Sequence, residues 1–116
     1  MKISPPKWLA SRASPPGMLA CGVRNPAGEV ASHTTEAGWP AEAMEAILSQ
    51  FDSMRVDLFS DQFAPRWSTW AFEQGQLRYV ARPDGWLLGL VVRSDSEALA
   101  RLDSLSVEFL SLQLES

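Results

Sequence analysis

The sequence predicts an α+β domain, in which a five-stranded antiparallel sheet carries helices on both faces in the order α-β-β-α-β-β-β-α. Three observations predict this class. Turn signals separate short apolar segments, one long stretch repeats apolar residues at helical spacing, and WLLGLVV has the length of a strand buried on both sides. Since the chain has 116 residues, 46% of them hydrophobic, we expect a single domain over 1–116 with a real core.

The N-terminal part of the sequence, up to Thr34, predicts a short helix and a β-hairpin. Prolines at 5–6 and 15–16 bracket KWLASRA, which predicts a short helix with proline in its first turn. MLACGVR and EVASHT then flank the turn signal at 25–28. Pro26 presets a type I turn, and Gly28 can take the left-handed conformation that completes a bulged hairpin loop.

The middle of the sequence predicts a long amphipathic helix over 40–59. Pro40 suits its first turn, and Glu42 and Glu45 suit the positive end of its dipole. Its apolar residues recur with a period of 3.6 and are Met44, Ile47, Leu48, Phe51, Met54, Leu58 and Phe59.

A second hairpin is predicted after Pro65, because 66–73 is rich in residues that favour strands. We expect Gln74-Gly75 to form a two-residue loop, which places Trp70 opposite Tyr79 and Trp67 beside Arg82. One face of this hairpin then carries Trp70, Phe72, Leu77 and Tyr79.

The last elements are a central strand and a helix. Trp86 to Arg93 is almost continuously apolar, which predicts a strand in the middle of the sheet. Ser94 and Glu97 have capping-box spacing, so we expect the final helix to begin there. Its apolar stripe comprises Leu99, Leu102, Leu105, Phe109 and Leu112.

Composition argues against several classes of function. The net charge of −4 and the pI near 4.9 lack the basic surface of a nucleic-acid-binding protein. The apolar stretches are too short for a membrane span, and the N-terminal residues lack the apolar run of a signal peptide. We therefore expect a soluble cytoplasmic protein with no nucleic-acid partner and no membrane span.

The sequence shows no catalytic or metal-binding constellation. Cys21 is the single cysteine and His33 the single histidine, so no Cys/His cage can form, and no cofactor is predicted. We interpret Cys21 as a small buried hydrophobic residue and His33 as a rim histidine. Asp57 and Asp61 have i,i+4 spacing, but such pairs on a helix are usually solvated, and we expect no enzyme activity.

Three passages carry a resemblance to a known family: PPGMLACGVRNPAGEVAS, the helix at 40–59, and QLRYVARPDGWLLGLVVRSDSEALARL. Together with the order of elements, they resemble the roadblock/dynein light chain family from about Trp8 to Phe109. The first helix is shorter than the family's, and the second half is more aromatic. The resemblance implies a non-catalytic homodimer, formed by the third strand and the middle helix, that is a platform for small GTPases or motor and scaffold proteins.

The residues themselves favour an interface at the third strand, because RWSTWAF has no Lys or Pro to block pairing at a sheet edge. The hypothesised dimer interface comprises Met44, Phe51, Met54, Arg66, Trp67, Ser68, Thr69 and Trp70. A hypothesised partner-binding patch comprises Trp67, Arg78 and Arg82, since Arg and Trp are frequent interface hot spots. The alternatives are that the helix only seals its own sheet, and that the arginines only cover Trp67 within one subunit.

Two other functions stay open at this stage. An α+β sheet can enclose a ligand cavity, so a small-molecule sensor is the main alternative to a regulator or scaffold of a small Ras-like GTPase. An aromatic groove for proline-rich peptides is a variant of the interaction module, for which the candidate residues are Trp8, Trp39 and Trp67.

Overall fold

The computed structural model describes residues 2–12, 17–34, 41–58, 66–73, 75–94 and 96–115. Its elements follow the predicted order. They are α1 (Pro5–Arg12), β1 (Met18–Arg24), β2 (Val30–Thr34), α2 (Ala41–Leu58), β3 (Trp67–Phe72), β4 (Gly75–Ala81), β5 (Leu87–Arg93) and α3 (Ser96–Ser111). Within these ranges, no helix is long and apolar enough to cross a membrane.

The strands form one antiparallel sheet in the order β2-β1-β5-β4-β3. The apolar strand β5 lies at the centre, as predicted, and all its residues except Arg93 are buried. Because β5 has neighbours on both sides and helices above and below, both its faces require apolar side chains. This order leaves β2 and β3 at the two edges of the sheet.

Each face of the sheet has its own core. On one face, Trp8 of α1 and Leu102, Leu105 and Phe109 of α3 pack against β1, β4 and β5. On the other face, Met44 and Leu48 of α2 pack against the same central strands. The predicted helices on both faces are therefore confirmed.

The first hairpin has the predicted turn. Gly28 has a φ of 92°, in the left-handed region that favours glycine. Its N–H donates to the carbonyl of Asn25 (2.9 Å), and the N–H of Asn25 donates to the carbonyl of Glu29 (2.9 Å). The Asn25 side-chain oxygen also accepts the N–H of Glu29 (2.9 Å), so the loop is closed by its own polar groups.

The predicted register of the second hairpin is wrong by two residues. Trp70 pairs with Leu77 rather than Tyr79, and Phe72 pairs with Gly75, so Gly75 belongs to the strand and not to the loop. A side chain at Gly75 would collide with the carbonyl oxygen of Val92 on β5, which explains why glycine occupies this strand position. A shift of two residues keeps every side chain on its predicted face.

The chain ends are joined beside the sheet. Ile3 forms a parallel bridge with Leu114: the N–H of Ile3 donates to the carbonyl of Gln113 (2.9 Å), and the N–H of Glu115 donates to that of Ile3 (2.9 Å). This bridge brings the beginning of α1 near the end of α3. The predicted capping box, formed by Ser94 and Glu97, spans residue 95, and residue 95 lies outside the described residues.

Candidate interaction surface

Strand β3 has a free edge in the part of the chain that the structure describes, because it pairs only with β4. The N–H of Ala81 donates to the carbonyl of Arg66 (2.6 Å). Since the direction of hydrogen bonding alternates along an antiparallel pair, the backbone groups of Ser68 and Trp70 also point toward β4. The backbone N–H and C=O groups of Trp67, Thr69 and Ala71 therefore point away from the sheet, where another strand could pair with them.

The face of β3 on the α2 side is aromatic and exposed. Trp70 is 42% exposed and Phe72 is 37% exposed. The ring of Phe51 on α2 lies 5.2 Å from the Trp70 ring, between centroids, and 6.3 Å from that of Tyr79. The helix and the edge strand thus meet at an aromatic contact, and we call the apolar side chains on this side (Phe51, Met54, Trp70 and Phe72) the β3–α2 surface.

Helix α2 is held over this edge by a polar contact. The hydroxyl of the buried Tyr79 donates to the carboxylate of Asp52 on α2 (3.0 Å). This bond holds the part of α2 that also carries Phe51 against the sheet. Met54, one turn further along, is half-buried.

The opposite face of β3 carries Trp67, which is 39% exposed and rests on Arg78. The guanidinium carbon of Arg78 lies 5.7 Å from the centre of the Trp67 ring. Arg78 donates to Thr69 Oγ1 (2.9 Å), to Asp103 on α3 (2.7 Å) and to Ser106 Oγ (3.4 Å). Since its side chain is only 12% exposed, Arg78 mainly supports Trp67 from below.

The predicted grouping of Arg82 with Trp67 is wrong, because Trp67 pairs with Val80 in the observed register. Arg82 instead reaches the end of α3, where it donates to the carbonyls of Phe109 (3.0 Å) and Leu112 (2.7 Å). It also forms an ion pair with Asp84 (2.6 Å). Arg82 therefore binds backbone carbonyls at and just beyond the end of α3, and it does not join the patch.

The expectation that Met44 lies on an exposed part of the middle helix is also wrong. Its side chain is fully buried in its own chain, beside Gly22 and Gly89. Helical periodicity places Met44 on the apolar face of the helix but does not show how closely the sheet packs against it. Here the two glycines let the sheet approach the Met44 side chain closely. Met44 offers no surface to a partner.

The other residues of the hypothesised interface lie together at the sheet edge. Arg66 and Thr69 are exposed, and Ser68 is half-buried. Phe72, the last residue of the predicted pairing strand RWSTWAF, lies on the same face as Trp70, because side chains alternate along a strand.

Cys21 and His33 are neighbours across β1 and β2. Cys21 is fully buried, as predicted, and its thiol contacts the carbonyl oxygen of His33 (3.5 Å). Burial raises the pKa of the Cys21 thiol to about 12, although the contact with His33 opposes this shift. Across the described ranges, no group of three His, Cys, Asp or Glu side chains is arranged to hold a metal ion.

The order of elements and strands defines an α+β domain of roadblock-like fold. The chain is similar to the solved structure "Crystal Structure of Roadblock/LC7 Domain from Streptomyces avermitilis", with a TM-score of 0.61, 17% identity, and 94% of each chain covered. It is also similar to Myxococcus xanthus MglB, with a TM-score of 0.59, 12% identity, and 91% of each chain covered. No protein-family model matches the sequence, and no curated protein matches it.

Proposed function

We propose that this protein is a non-catalytic interaction module that forms a homodimer through β3 and α2, and that the dimer scaffolds or regulates a small Ras-like GTPase. The observation that carries the proposal is the β3 edge, where backbone groups that no described strand pairs and two exposed aromatic rings, Trp70 and Phe72, occur together. Such an edge favours addition of another strand.

A second copy of the chain fits this edge by symmetry. In an antiparallel pair of β3 strands, each copy contributes the same outward groups of Trp67, Thr69 and Ala71, so the contact is closed by a two-fold axis. The β3–α2 surface of each copy then lies beside that axis. Its aromatic and Met side chains are the types enriched at the centres of interfaces.

The proposed GTPase partner has a different kind of support. It comes from the resemblance to the roadblock family and from the roadblock-like fold of the two solved structures.

The dimer is tested by two substitutions at one position. Ala71→Pro removes the outward N–H of residue 71 without removing a hydrogen bond to β4, whereas Ala71→Ser keeps that N–H. We expect sedimentation equilibrium to give dimers for the wild type and Ala71→Ser, and a folded monomer for Ala71→Pro. A wild-type protein that stays monomeric at high micromolar concentration would contradict the proposal.

The proposed GTPase partner is tested after the oligomeric state has been measured. Purified small Ras-like GTPases, each loaded with a GTP analogue or with GDP, are titrated against the wild type and against Ala71→Pro by calorimetry. We expect one of them to bind the wild type with a preference for one nucleotide state and to bind the monomeric variant more weakly. Absence of binding across the set would leave the homodimer intact but remove the assigned partner.

A further inference from the structure

The face of β3 on the α3 side is left uncovered by the described part of the chain. Trp67, Thr69 and Ala71 alternate along this face, and all three side chains are exposed. On the other face, Phe51 of α2 reaches β3 at Trp70, with 5.2 Å between the ring centres. The sheet therefore has an uncharged strip along β3 that no described helix covers.

Helix α3 borders this strip on one side. Arg78 of β4 donates to Asp103 (2.7 Å), so the flank of α3 that carries Asp103 faces β3. Val107, one turn after Asp103, is 59% exposed at the rim of this flank. Helix α1 packs on the other flank, which carries Arg101 and Glu108. The strip thus lies between α3 and the free edge of β3.

Pairing of β3 with its copy in the proposed homodimer converts the strip into a trough. Antiparallel strands lie about 4.8 Å apart, so the two β3 strands form a floor about 10 Å wide with an α3 helix on each side. An α-helix with its side chains has a diameter of about 10 Å. The floor therefore matches the width of a single helix, and the two-fold axis passes through its centre. We call this feature the α3–β3 trough (Trp67, Thr69, Ala71 and Val107 of both copies).

Carboxylates border the trough. The side chain of Asp103 is 73% exposed on the flank of α3. Glu73, which directly follows β3, is exposed, and strand alternation places it on the α3 side. The same alternation places the exposed Arg66, which directly precedes β3, on the α2 side. Because of the two-fold axis, each carboxylate occurs once on either side of the trough.

The arginines that β4 and the turn after it place on this face are covered and paired. The side chains of Arg78 and Arg82 are each 12% exposed. Arg78 lies against the ring of Trp67 and pairs with Asp103, and Arg82 pairs with Asp84 (2.6 Å). The net charge of −4 for each chain adds to the negative potential of a dimer. A basic partner is therefore favoured over an acidic one.

We propose that the dimer binds one basic amphipathic helix of a partner protein in the α3–β3 trough. The apolar stripe of that helix packs on Trp67 and Val107, and its Lys or Arg side chains pair with Asp103 and Glu73. This binding rests on the proposed homodimer, because a single chain supplies only half of the floor. Since the trough lies on the two-fold axis, one helix occupies it for every two chains.

The test titrates the peptide Ac-KLKALLKKLAKLLK-amide, whose apolar residues have helical spacing, into the wild-type protein by calorimetry and by two-dimensional NMR. We expect one peptide per dimer and a saturable shift of the indole N–H signal of Trp67, whereas the signal of Trp70 on the other face stays unchanged. The acidic analogue Ac-ELEALLEELAELLE-amide should bind at least about tenfold more weakly.

Matched variants locate the contacts. Glu73→Gln/Asp103→Asn should bind the basic peptide about tenfold more weakly, as expected for several exposed ion pairs. Val107→Thr keeps the shape of the side chain and should bind it about threefold more weakly, the effect of one lost apolar group. Glu42→Gln/Glu45→Gln removes two exposed carboxylates from α2 on the other face and should bind like the wild type. Sedimentation should show that all three variants remain dimers.

The outcomes separate this proposal from the homodimer. A wild-type dimer that does not bind the basic peptide, or binds it no more tightly than Glu73→Gln/Asp103→Asn does, would overturn the proposal and leave the homodimer intact. One peptide per chain, or a shift of the Trp70 signal in place of that of Trp67, would overturn it as well. A wild-type protein that sediments as a monomer would overturn the homodimer and the trough together.

Discussion

The indole N–H of Trp8 on α1 donates a hydrogen bond to the carboxylate of Glu108 on α3 (3.0 Å), and this contact fastens α1, the shortest helix, to α3. Trp8 is almost fully buried, with its ring centre 5.9 Å from that of Phe109. Arg12 pairs with the other oxygen of the same carboxylate (2.8 Å). Glu108 is therefore the polar link between the two helices on this face.

The first prediction concerns the pH dependence of this link. Burial alone would raise the pKa of Glu108, but hydrogen bonds from Trp8 and Arg12 and the charge of Arg12 together lower it. A lowered pKa in the folded state stabilises the protein above the ordinary carboxyl pKa of about 4.3, and this contribution is lost as the pH falls through the folded value. We expect the difference in unfolding free energy between the wild type and Glu108→Gln, measured with urea, to shrink below about pH 4. A difference that is constant with pH would contradict the assignment.

The second prediction concerns the same carboxylate at neutral pH. Glu108→Ala leaves the buried indole N–H of Trp8 without an acceptor, so we expect a loss of about 2 kcal/mol in unfolding free energy. Glu108→Gln keeps an acceptor and should lose less than about 1 kcal/mol, since the pair with Arg12 is exposed. Chemical denaturation of the two variants side by side is the measurement, and equal losses would show that Trp8 does not depend on this acceptor.

The third prediction concerns Arg82, whose guanidinium joins the β4–β5 turn to the end of α3. Arg82→Gln removes charge-assisted hydrogen bonds to the carbonyl of Phe109 in α3 and to that of Leu112 just after it, and we expect a loss of about 2 kcal/mol in unfolding free energy. Arg101→Gln is the matched control, because Arg101 is exposed on the same helix, and it should change stability by less than about 0.5 kcal/mol. Similar unfolding midpoints for the two variants would argue against this role of Arg82.

The fourth prediction concerns Cys21. Because the pKa of its thiol is raised to about 12, the native protein holds almost no thiolate at pH 8, and the side chain is also fully buried. We expect a disulfide reagent such as Ellman's to label Cys21 very slowly in the folded protein and within seconds in urea. Rapid labelling under native conditions would mean that β1 and β2 separate readily.

The fifth prediction concerns the two exposed tryptophans of β3 and rests on the proposed homodimer. Trp70 belongs to the β3–α2 surface, whereas Trp67 rests on Arg78 of its own chain. We expect Trp70→Ser to weaken dimerisation by about tenfold or more, the effect of losing an interface hot spot, and Trp67→Ser to weaken it less. Sedimentation over a range of concentrations measures both, and a larger effect of Trp67→Ser would place the centre of the interface on the α3 side.

The sequence by itself determined the order of elements, the central position of β5 and the face on which each strand residue lies. These features follow from local periodicity, which is 2 for strands and 3.6 for helices, and from turn signals such as Gly28. The aromatic face of β3 was predictable for the same reason. A free edge at this strand was also predictable, since RWSTWAF has no residue that blocks pairing.

Only the tertiary structure decided the register of β3 against β4, the burial of Met44 and the hydrogen-bond partners of Arg82. A register shift of two residues leaves the period of two unchanged, so the sequence pattern cannot detect it. In the structure Gly75 lies within β4, against Val92 of β5, and pairs with Phe72. The long side chain of Arg82 finds its partners at Phe109 and Leu112, far along the chain. Contacts of this kind depend on how the layers pack, and periodicity within a single segment carries no information about that packing.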